Sequence, residues 1–303
     1  MAERSLVIGA NGFLGSSLVD ELVRRGHEVT AFDRFTRASA LPESVTPVVG
    51  DFLDADAVAT AVAGHTHVFH FLSTTTPASA DGDPVRDARE NVVPSIHLLE
   101  ACVAAGVEKV YFASTGGAIY GDHGEDAMSE TVRPQPVSPY AIGKLAIEGY
   151  LSYFSRKHGL QSASYRISNP YGPRQLVGRS HGVIPTFLRL VREGRPVQVF
   201  GDGSSVRDYV YVEDAVRMIV DTVGRDTDHA TYNIGSGVGT SLTELLGVVE
   251  AVTGAAPLVE YRPEPPTFVH RSVLDTSRYA AEFGAPSLRS LEQGVNQTWE
   301  QTA

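Results

Sequence analysis

The sequence predicts an α/β fold, in which a doubly wound parallel sheet is followed by a smaller C-terminal α/β region. The main observation is that short apolar, strand-like runs alternate with helical periods through the first half of the 303-residue chain. Such alternation is typical of βαβ units, which place helices on both faces of a parallel sheet. A glycine-rich turn from Gly9 to Gly15 joins the first apolar run to the first helical period.

The elements can be placed in order from these runs. After about Arg166 the pattern loosens and prolines mark loops, so we expect a first domain of residues 1–166, to which part of 205–235 returns, and a second domain made mainly of 167–303. Pro94 lies inside a helical run, where a proline costs about 3 kcal/mol, so a bend is expected there. Strands are predicted at Ser5–Ile8, His27–Phe32, Pro47–Val49, His67–Leu72, Lys109–Ala113 and Ser162–Ile167. Helices are predicted through Leu14, Leu18 and Leu22 to an end near Gly26, at Asp54–Val62, from Pro84 to Gly106 and at Pro139–His158.

The composition is that of a globular protein, and it excludes several functional classes. A chain of this length with 42% hydrophobic residues can bury a full core. The net charge of −11 disfavours nucleic acid and anionic membranes as partners. No apolar segment is long enough for a membrane helix or a signal peptide, so we expect a cytoplasmic location. The single Cys102 excludes an internal disulfide and a multi-cysteine zinc site, and we identify no metal-ligating motif.

The loop from Gly9 to Gly15 has the spacing of a dinucleotide-binding turn. Such a turn needs a tight bend, a backbone that can touch a pyrophosphate, and a helix N-terminus aimed at it; glycines at positions 9, 12 and 15 supply all three. Asp33, at the end of the next predicted strand, can accept from an adenosine ribose hydroxyl and would repel a 2′-phosphate. The pattern favours NAD in a Rossmann domain, with NADP, through Arg34 and Arg37, or a turn without ligand as alternatives.

Two Tyr-x-x-x-Lys pairs occur in one predicted helix of a chain with only three lysines. Residues i and i+4 lie one above the other on a helix face, so Tyr140 could meet Lys144 and Tyr153 could meet Lys157. A cation beside a phenol lowers the pKa of the phenol. The segment between the two tyrosines rotates them by about 220°, so both can hardly face one site. The spacing alone does not decide which pair is chemical.

Further motifs, taken with these, resemble the extended short-chain dehydrogenase/reductase family, and within it the nucleotide-sugar epimerases. They occur in the family's order over nearly the whole chain, and in that family the active tyrosine begins a long helix directly after Ser-Pro. The resemblance therefore implies that Tyr140 and Lys144 are the catalytic pair. The motifs are the glycine loop, Asp33, Gly50-Asp51, Asn91, Ser114-Thr115, Tyr140-x-x-x-Lys144 and Asn169-Pro-Tyr-Gly-Pro.

The resemblance also implies a mechanism. Lys144 and the positive nicotinamide of an oxidised cofactor would favour the phenolate of Tyr140, which takes a proton from a sugar hydroxyl while hydride passes to NAD. Many relatives carry a serine or threonine where this chain has Gly116. Either the hydroxyl of Thr115 reaches the substrate or Tyr140 acts without a relay; Ser114 is the other hydroxyl nearby.

Contacts with the cofactor and the substrate follow from the same resemblance. For some of these residues a structural role is the alternative to a ligand contact. Asn91 could brace neighbouring backbone, Thr75 and Thr76 could cap a strand end, and any single arginine could be a solvated surface residue. Arg207 would pair with the diphosphate of the nucleotide, and Phe200 would border its base. Cofactor contacts are expected from Gly9, Asn11, Gly12, Phe13, Leu14, Gly15, Asp33, Arg34, Asp51, Phe52, Leu72, Ser73, Thr74, Asn91, Tyr140, Lys144 and Ile167. Substrate contacts are expected from Thr75, Thr76, Thr115, Gly116, Gly117, Tyr140, Asn169, Arg174, Arg179, Val183, Ile184, Gln198, Val199, Phe200, Arg207, Arg262 and Ser272.

Missing carboxylates narrow the predicted reaction. A 4,6-dehydratase needs an acid and a base besides the tyrosine, which relatives carry as Asp-Glu after the threonine, whereas here Thr115 is followed by Gly116 and Gly117. The sequence thus predicts an NAD-dependent 4-epimerase of a UDP-sugar. The alternatives are a 4,6-dehydratase, an NAD(P)-dependent nucleotide-sugar reductase and a non-catalytic dinucleotide sensor.

The sequence says less about the sugar of the substrate and about the oligomeric state than about the reaction. A small Ser272 would tolerate a 2-acetamido group, whereas Arg174 and Arg179 could hold the carboxylate of a hexuronic acid. UDP-glucose, UDP-N-acetylglucosamine and UDP-glucuronate therefore all stay open. The family also implies a homodimer formed through helices at 96–105 and 141–154.

Overall fold

The structure, a computed structural model, describes residues 3–39, 41–124, 127–175, 182–265 and 267–301. Among these residues, no helix combines the length and the apolar character needed to cross a bilayer. The strands are β1 (Arg4–Ile8), β2 (Glu28–Asp33), β3 (Thr46–Val49), β4 (His67–His70), β5 (Lys109–Thr115), β6 (Gln161–Ile167), β7 (Asn169–Tyr171), β8 (Val197–Phe200), β9 (Val206–Tyr211), β10 (Thr231–Ile234), β11 (Gly239–Ser241), β12 (Val259–Arg262) and β13 (Arg271–Ser272). The helices are α1 (Phe13–Arg24), α2 (Ala55–Val62), α3 (Pro77–Asp81), α4 (Pro84–Asp87), α5 (Val93–Ala105), α6 (Gly116–Ile119), α7 (Pro139–His158), α8 (Val183–Arg192), α9 (Val212–Val220), α10 (Leu242–Thr253), α11 (Ser277–Phe283) and α12 (Leu291–Gln301).

A seven-stranded sheet, in the order β10-β6-β5-β4-β1-β2-β3, forms the centre of the fold. Its strands β1, β2, β3, β4 and β5 pair in parallel, which confirms the predicted doubly wound α/β fold. The strand order reverses at β1, which has β2 on one side and β4 on the other. In sheets of this kind, ligands bind beyond the carboxyl ends of the strands at the reversal, which is where the glycine loop follows β1.

The core of this sheet is built from apolar side chains of the strands and of the helices that cover them. Leu6 and Ile8 of β1, Phe112 of β5 and Leu98 of α5 are fully buried in one cluster. Cys102 lies in the same cluster, and burial raises the pKa of its thiol to about 12. It is therefore a small buried apolar residue, in agreement with its position in an apolar helical run.

The chain divides into two compact units. The first consists of Met1–Thr115, Ser138–Arg166 and Ile219–Tyr232, and the second of Gly116–Val137, Ile167–Met218 and Asn233–Ala303. Within the second unit, β9 pairs with β7, β11 and β13, and β8 pairs in parallel with β12. A separate apolar cluster, which includes Ile184, Phe187, Tyr209 and Val295, forms its core.

The helix predicted from Pro84 to Gly106 is interrupted. The structure has a short α4, a π-helical turn at Ala88–Val92, and then α5 with Pro94 in its first turn. A proline is tolerated in a first turn because its missing N–H would have no partner there. The π-helical turn ends two residues before Pro94, the position of the expected bend, and it contains the buried Asn91. Asp87, the last residue of α4, is also buried.

Candidate active site

The glycine loop turns the chain tightly from β1 into α1. Gly9 has a φ of +86°, a conformation that favours glycine, and its N–H donates to the Phe32 carbonyl at 3.0 Å. A Cβ atom on Gly15 would lie 2.0 Å from the Gly9 carbonyl oxygen, so the close approach requires glycine. Helix α1 begins at Phe13, and its N-cap, Gly12, makes no side-chain hydrogen bond. Its first N–H groups can therefore bind an anionic group.

Asp33 lies beside this loop at the end of β2. Its carboxylate accepts hydrogen bonds from the backbone N–H groups of Asn11 at 3.0 Å and Phe35 at 3.3 Å. The Arg37 guanidinium donates to the Asn11 carbonyl at 3.3 Å, whereas Arg34 is exposed. The carboxylate is thus fixed in orientation by the loop, and its remaining lone pairs can accept from a ribose hydroxyl.

Three further residues predicted to contact the cofactor have roles within the protein. Asp51 caps its own turn by accepting from the Leu53 N–H at 3.0 Å. Phe52 is buried, and its ring centroid lies 5.0 Å from that of His70. The Ser73 hydroxyl donates to the Thr75 carbonyl at 2.9 Å. These contacts hold the segments after β3 and β4 in place.

A buried polar network follows β4. The Asn91 side-chain carbonyl accepts from the Thr74 N–H at 2.9 Å, and its amide donates to the Thr75 hydroxyl at 2.9 Å and to Asp87 at 3.1 Å. The Thr75 hydroxyl in turn donates to Asp87, and Thr76 caps α3. Asn91 therefore braces the backbone, and both threonine hydroxyls have partners inside the protein.

Tyr140 and Lys144 lie in the first turns of α7, which has Ser138 as its N-cap and Pro139 in its first turn. Lys144 is 5% exposed, and its Nζ donates to the Ala113 carbonyl of β5 at 2.9 Å. The same Nζ lies 5.7 Å from the centroid of the Tyr140 ring. Among the residues that the structure describes, no hydrogen bond engages the Tyr140 hydroxyl, which leaves it available to a ligand.

The sequence predicts that Lys144 lowers the pKa of the Tyr140 phenol, but in the structure the pKa of this phenol is raised. Burial, together with the negative charge of Asp87, raises the pKa of Tyr140 to about 12. Burial lowers the pKa of Lys144 to about 8, against the carboxylates of Asp87 and Glu148, which raise it. Asp87 approaches α7 closely because position 143 is glycine, where a Cβ atom would lie 2.2 Å from the Asp87 carboxylate. In the protein alone, the phenol is therefore neutral at pH 7.

The second tyrosine–lysine pair lies on the surface. Tyr153 is 43% exposed, and the Lys157 Nζ donates to its hydroxyl at 2.8 Å. Tyr153 and Lys157 are exposed to water, so this pair lacks the burial of Tyr140 and Lys144. The structure thus gives the two pairs different surroundings, although the sequence spacing is the same.

The two hydroxyls at the end of β5 also have different surroundings. Ser114 donates to the Glu148 carboxylate at 2.5 Å, and Glu148 accepts two further hydrogen bonds from Arg166, at 3.1 and 2.7 Å. This ion pair is buried, with side chains 9% and 8% exposed. The Thr115 hydroxyl has no partner among the residues that the structure describes, so it is the one left available.

The second unit contains a cavity of about 740 Å³ that brings together many of the residues predicted to bind substrate. It also has aromatic and basic residues that the sequence did not single out. The predicted residues that line it are Asn169, Val183, Ile184, Gln198, Phe200 and Arg207. The additional ones include Tyr209, Phe268, Arg189 and Arg195.

Arg207 is a charged residue of this cavity that backbone carbonyls hold in place. Its guanidinium donates to the carbonyl of Val269 at 2.6 Å and to that of Val206 at 2.9 Å, and lies 5.8 Å from the Phe268 ring centroid. Burial lowers the pKa of Arg207. In the described part of the chain it forms no salt bridge, so a largely buried positive charge is available to an anionic ligand.

Other predicted substrate residues do not line this cavity. Side chains alternate along β8, so Val199 is buried in the core. Arg262 pairs with Glu260 at 3.0 Å, both being close to half exposed, and Ser272 is buried on β13. Arg174 has a φ of +66°, and Arg179 lies outside the described residues. Their substrate roles stay predictions.

Comparison with known proteins agrees with these features. Residues 5–235 match the sequence profile of the NAD dependent epimerase/dehydratase family. The chain belongs to this family. The UDP-glucose 4-epimerase of Mycolicibacterium smegmatis is 35% identical over 98% of this chain and 97% of its own.

Two solved structures are also similar. The UDP-glucose 4-epimerase of Thermus thermophilus in complex with NAD has a TM-score of 0.92 and 37% identity, with 98% of each chain covered. The UDP-glucose 4-epimerase of Thermotoga maritima with UDP-glucose has a TM-score of 0.93 and 35% identity, with 99% of this chain and 98% of that one covered.

Membership of the epimerase/dehydratase family identifies the chain as an enzyme and NAD as its cofactor, which confirms the prediction from the glycine loop and Asp33. The loop, the N-terminus of α1 and the partly free carboxylate of Asp33 fit this dinucleotide. The family does not decide the reaction, because relatives named dTDP-glucose 4,6-dehydratase match at 29 to 32% identity.

Three charged residues that surround Tyr140 and Lys144 were not predicted from the sequence: Asp87, Glu148 and Arg166, the ion-pair partner of Glu148. Glu148 follows Lys144 by four residues, a spacing that could have placed both on one helix face. Asp87 and Asn91 share that spacing in the helical run after Asp83-Pro84. Arg166 gave no local signal, because a lone arginine in a strand becomes meaningful only when its buried partner is known.

Proposed function

We propose that this protein is an NAD-dependent 4-epimerase that acts on a UDP-sugar through a transient 4-keto intermediate. The observation that carries the proposal is the group of residues at the end of β5: Thr115 is followed by Gly116 and Gly117, with no carboxylate. The nearby carboxylates of Asp87 and Glu148 are buried and engaged in hydrogen bonds. An epimerase needs only one acid–base group and room for the sugar to turn, whereas dehydration needs a second acid and base.

In this mechanism Tyr140 takes the proton from the 4-hydroxyl of the sugar and later returns it. Bound NAD supplies a reversible hydride acceptor for C4. Burial and Asp87 keep the Tyr140 phenol neutral in the protein alone, so the phenolate requires positive charge from oxidised NAD together with Lys144, whose Nζ lies 5.7 Å from the centroid of the Tyr140 ring. Gly116 and Gly117 carry no side chains, so they leave room for the keto sugar to present its other face.

The cavity of the second unit supports a nucleoside diphosphate as the carrier of the sugar. Arg207 offers guanidinium N–H groups suited to phosphate oxygens. Phe200 and Phe268 line the same cavity and offer aromatic faces to a base. The relatives named UDP-glucose 4-epimerase favour uridine as that base. UDP-glucose, UDP-N-acetylglucosamine and UDP-glucuronate are the candidates to test.

Hydrogen exchange in heavy water tests the reaction. In 4-epimerisation the C4 hydrogen leaves and returns without exchange with solvent. With each UDP-sugar in D₂O, we expect a 4-epimer of unchanged mass with no carbon-bound deuterium, measured by nuclear magnetic resonance and mass spectrometry. Carbon-bound deuterium with loss of water would replace the proposal with a dehydratase. Oxidation of added NADH or NADPH in step with product would replace it with a reductase.

A substitution at Thr115 tests whether its hydroxyl relays the proton. Thr115→Val keeps the volume nearly constant and removes the hydroxyl, so we expect kcat to fall by about 10- to 100-fold, near the lower end of general acid–base effects. Ser114→Ala is the matched control, because the Ser114 hydroxyl is occupied by Glu148. Its kcat should change less than that of Thr115→Val. Equal kcat for wild type and Thr115→Val would show that Tyr140 acts alone.

We further propose that the protein is a homodimer. Helix α7 leaves Ile142, Tyr150 and Tyr153 exposed, and α5 leaves Val93 exposed, which is an unusual set of apolar side chains for solvated helices. Sedimentation equilibrium should give twice the chain mass of 32.5 kDa. Ile142→Glu should shift the mass towards the monomer, whereas Val49→Glu, at an exposed position of β3, should not.

A further inference from the structure

Three residues that are distant in sequence lie together at the amino ends of neighbouring strands in the first unit. Glu3 directly precedes β1, His27 directly precedes β2, and His67 is the first residue of β4. Because β1 lies between β2 and β4, the parallel registers place these residues side by side: Arg4 pairs with Glu28, and Ser5 with His67. The glycine loop follows the carboxyl end of β1, so this cluster and the glycine loop lie at opposite ends of the strands.

The distances within the cluster are close to those between the ligands of one metal ion for the two pairs that include Glu3. A Glu3 carboxylate oxygen lies 3.5 Å from the His27 Nδ1 and 3.6 Å from the His67 Nδ1. One ligand atom from each of the three residues lies within 4.8 Å of the other two. Tetrahedral coordination with bonds of about 2.0–2.1 Å separates ligand atoms by about 3.3–3.4 Å. Small side-chain movements would therefore complete three corners of such a site.

The orientation of His67 supports a ligand at this position. Its ring is buried, 4% exposed, and its Nδ1 has no hydrogen-bond partner among the described residues. The Nδ1 instead faces the Glu3 carboxylate. His27 is half-buried, and its Nδ1 lies 3.2 Å from the Ser5 hydroxyl, which would have to turn away on metal binding. Burial lowers the pKa of both histidines, which favours the neutral imidazole, the form that can offer a lone pair to a cation.

The surroundings leave space and a suitable balance of charge. Glu3 and His67 line a cavity of about 520 Å³, which has room for water as a fourth ligand. Glu108 lies near His67 and adds negative charge, which offsets the positive charge of Lys109 beside the same ring. Two imidazoles and one carboxylate form a donor set that suits zinc and its neighbours among the transition metals, rather than magnesium or calcium.

We propose that Glu3, His27 and His67 form a binding site for a divalent transition-metal cation of the zinc type, with water at the open position. The bound ion links the amino ends of β1, β2 and β4, and thus stabilises the end of the sheet that is opposite to the glycine loop. This site is independent of the proposed epimerase reaction. Sequence analysis gave no indication of it because the three residues are spread over 65 positions and follow no metal-binding spacing.

The test uses the full chain without a polyhistidine tag, treated with a chelator and then titrated with Zn²⁺ by calorimetry and with Co²⁺ by visible absorption. We expect one equivalent to bind, Co²⁺ to show the intense bands of tetrahedral coordination, and Mg²⁺ and Ca²⁺ not to compete. Saturating Zn²⁺ should raise the melting temperature, because the ion binds the native state. No saturable binding up to about 1 mM Zn²⁺ would overturn the proposal.

Variants distinguish this site from other histidines. Glu3→Gln, His27→Gln and His67→Gln should each weaken Zn²⁺ binding by at least about 100-fold, since even the loss of an outer-shell partner costs 10- to 100-fold. His65→Gln is the matched control: His65 precedes β4 and also has an unpartnered Nδ1, but its Nε2 contacts the Thr30 hydroxyl at 2.9 Å. If His67→Gln fails to fold, the exposed Glu3→Gln decides. Wild-type affinity in Glu3→Gln would overturn the proposal.

Discussion

Replacement of Tyr140 by phenylalanine should lower kcat by at least about 100-fold, because it removes the group that exchanges the proton with the sugar. The fold should be retained. The Tyr140 hydroxyl makes no hydrogen bond among the described residues, and the ring of phenylalanine fills the same space. We therefore expect the melting temperature and NAD content of the purified variant to stay close to those of wild type, as measured by calorimetry and by chromatography after denaturation.

Tyr153→Phe provides the control for this experiment. It removes a phenol of the same kind from the same helix, but one that is exposed and bonded to Lys157. Its kcat should be close to that of wild type. If Tyr153→Phe lost activity and Tyr140→Phe kept it, the assignment of the catalytic tyrosine would be wrong.

The pH dependence of kcat, compared between wild type and Tyr140→Phe, gives a second test of the role of Tyr140. Burial and Asp87 raise the pKa of its phenol to about 12 in the protein alone, so positive charge is needed to form the phenolate at lower pH. The kcat of wild type should rise with pH up to the pKa that the phenol has in the complex with NAD. The residual activity of Tyr140→Phe should lack this rise, because phenylalanine does not titrate.

Substitution of Glu148 should have the largest effect on stability. Glu148→Gln removes the carboxylate of the buried ion pair with Arg166, and the loss of one partner of such a pair costs about 3–5 kcal/mol in the free energy of unfolding. Chemical denaturation monitored by circular dichroism measures this loss. Ser114 also loses its acceptor carboxylate, and the pKa of Lys144, which Glu148 raises, should fall further.

Two control variants separate burial from ion pairing as such. Glu193→Gln breaks exposed contacts with Arg189 and Arg195, so it should leave the melting temperature nearly unchanged. The double variant Glu148→Leu with Arg166→Met removes both buried charges and should recover most of the lost stability. A double variant no more stable than Glu148→Gln would show that the ion pair itself, and not the charge left behind by its loss, decides the stability.

The fold and the cofactor could be predicted from the sequence because their signals are local. The alternation of strands and helices, the glycine spacing and Asp33 each lie within short segments, and together they predict a doubly wound sheet that binds NAD. The preference for Tyr140 over Tyr153 came from the resemblance to the family, in which the active tyrosine follows Ser-Pro. The interrupted helix at Ala88–Val92 was signalled only by Pro94.

By itself, the sequence determined the strands and helices of the first half of the chain, the loop that is the candidate for the dinucleotide and the two residues that are candidates for catalysis. Only the tertiary structure decided the electrostatic surroundings of that pair, which depend on Asp87 and on the buried Glu148–Arg166 ion pair. It likewise decided which side chains line the cavity of the second unit, and it brought Glu3, His27 and His67 together. The physical reason is that burial and charge depend on contacts between distant segments. Strand order and side-chain packing create those contacts, and neither is present in the local pattern of residues.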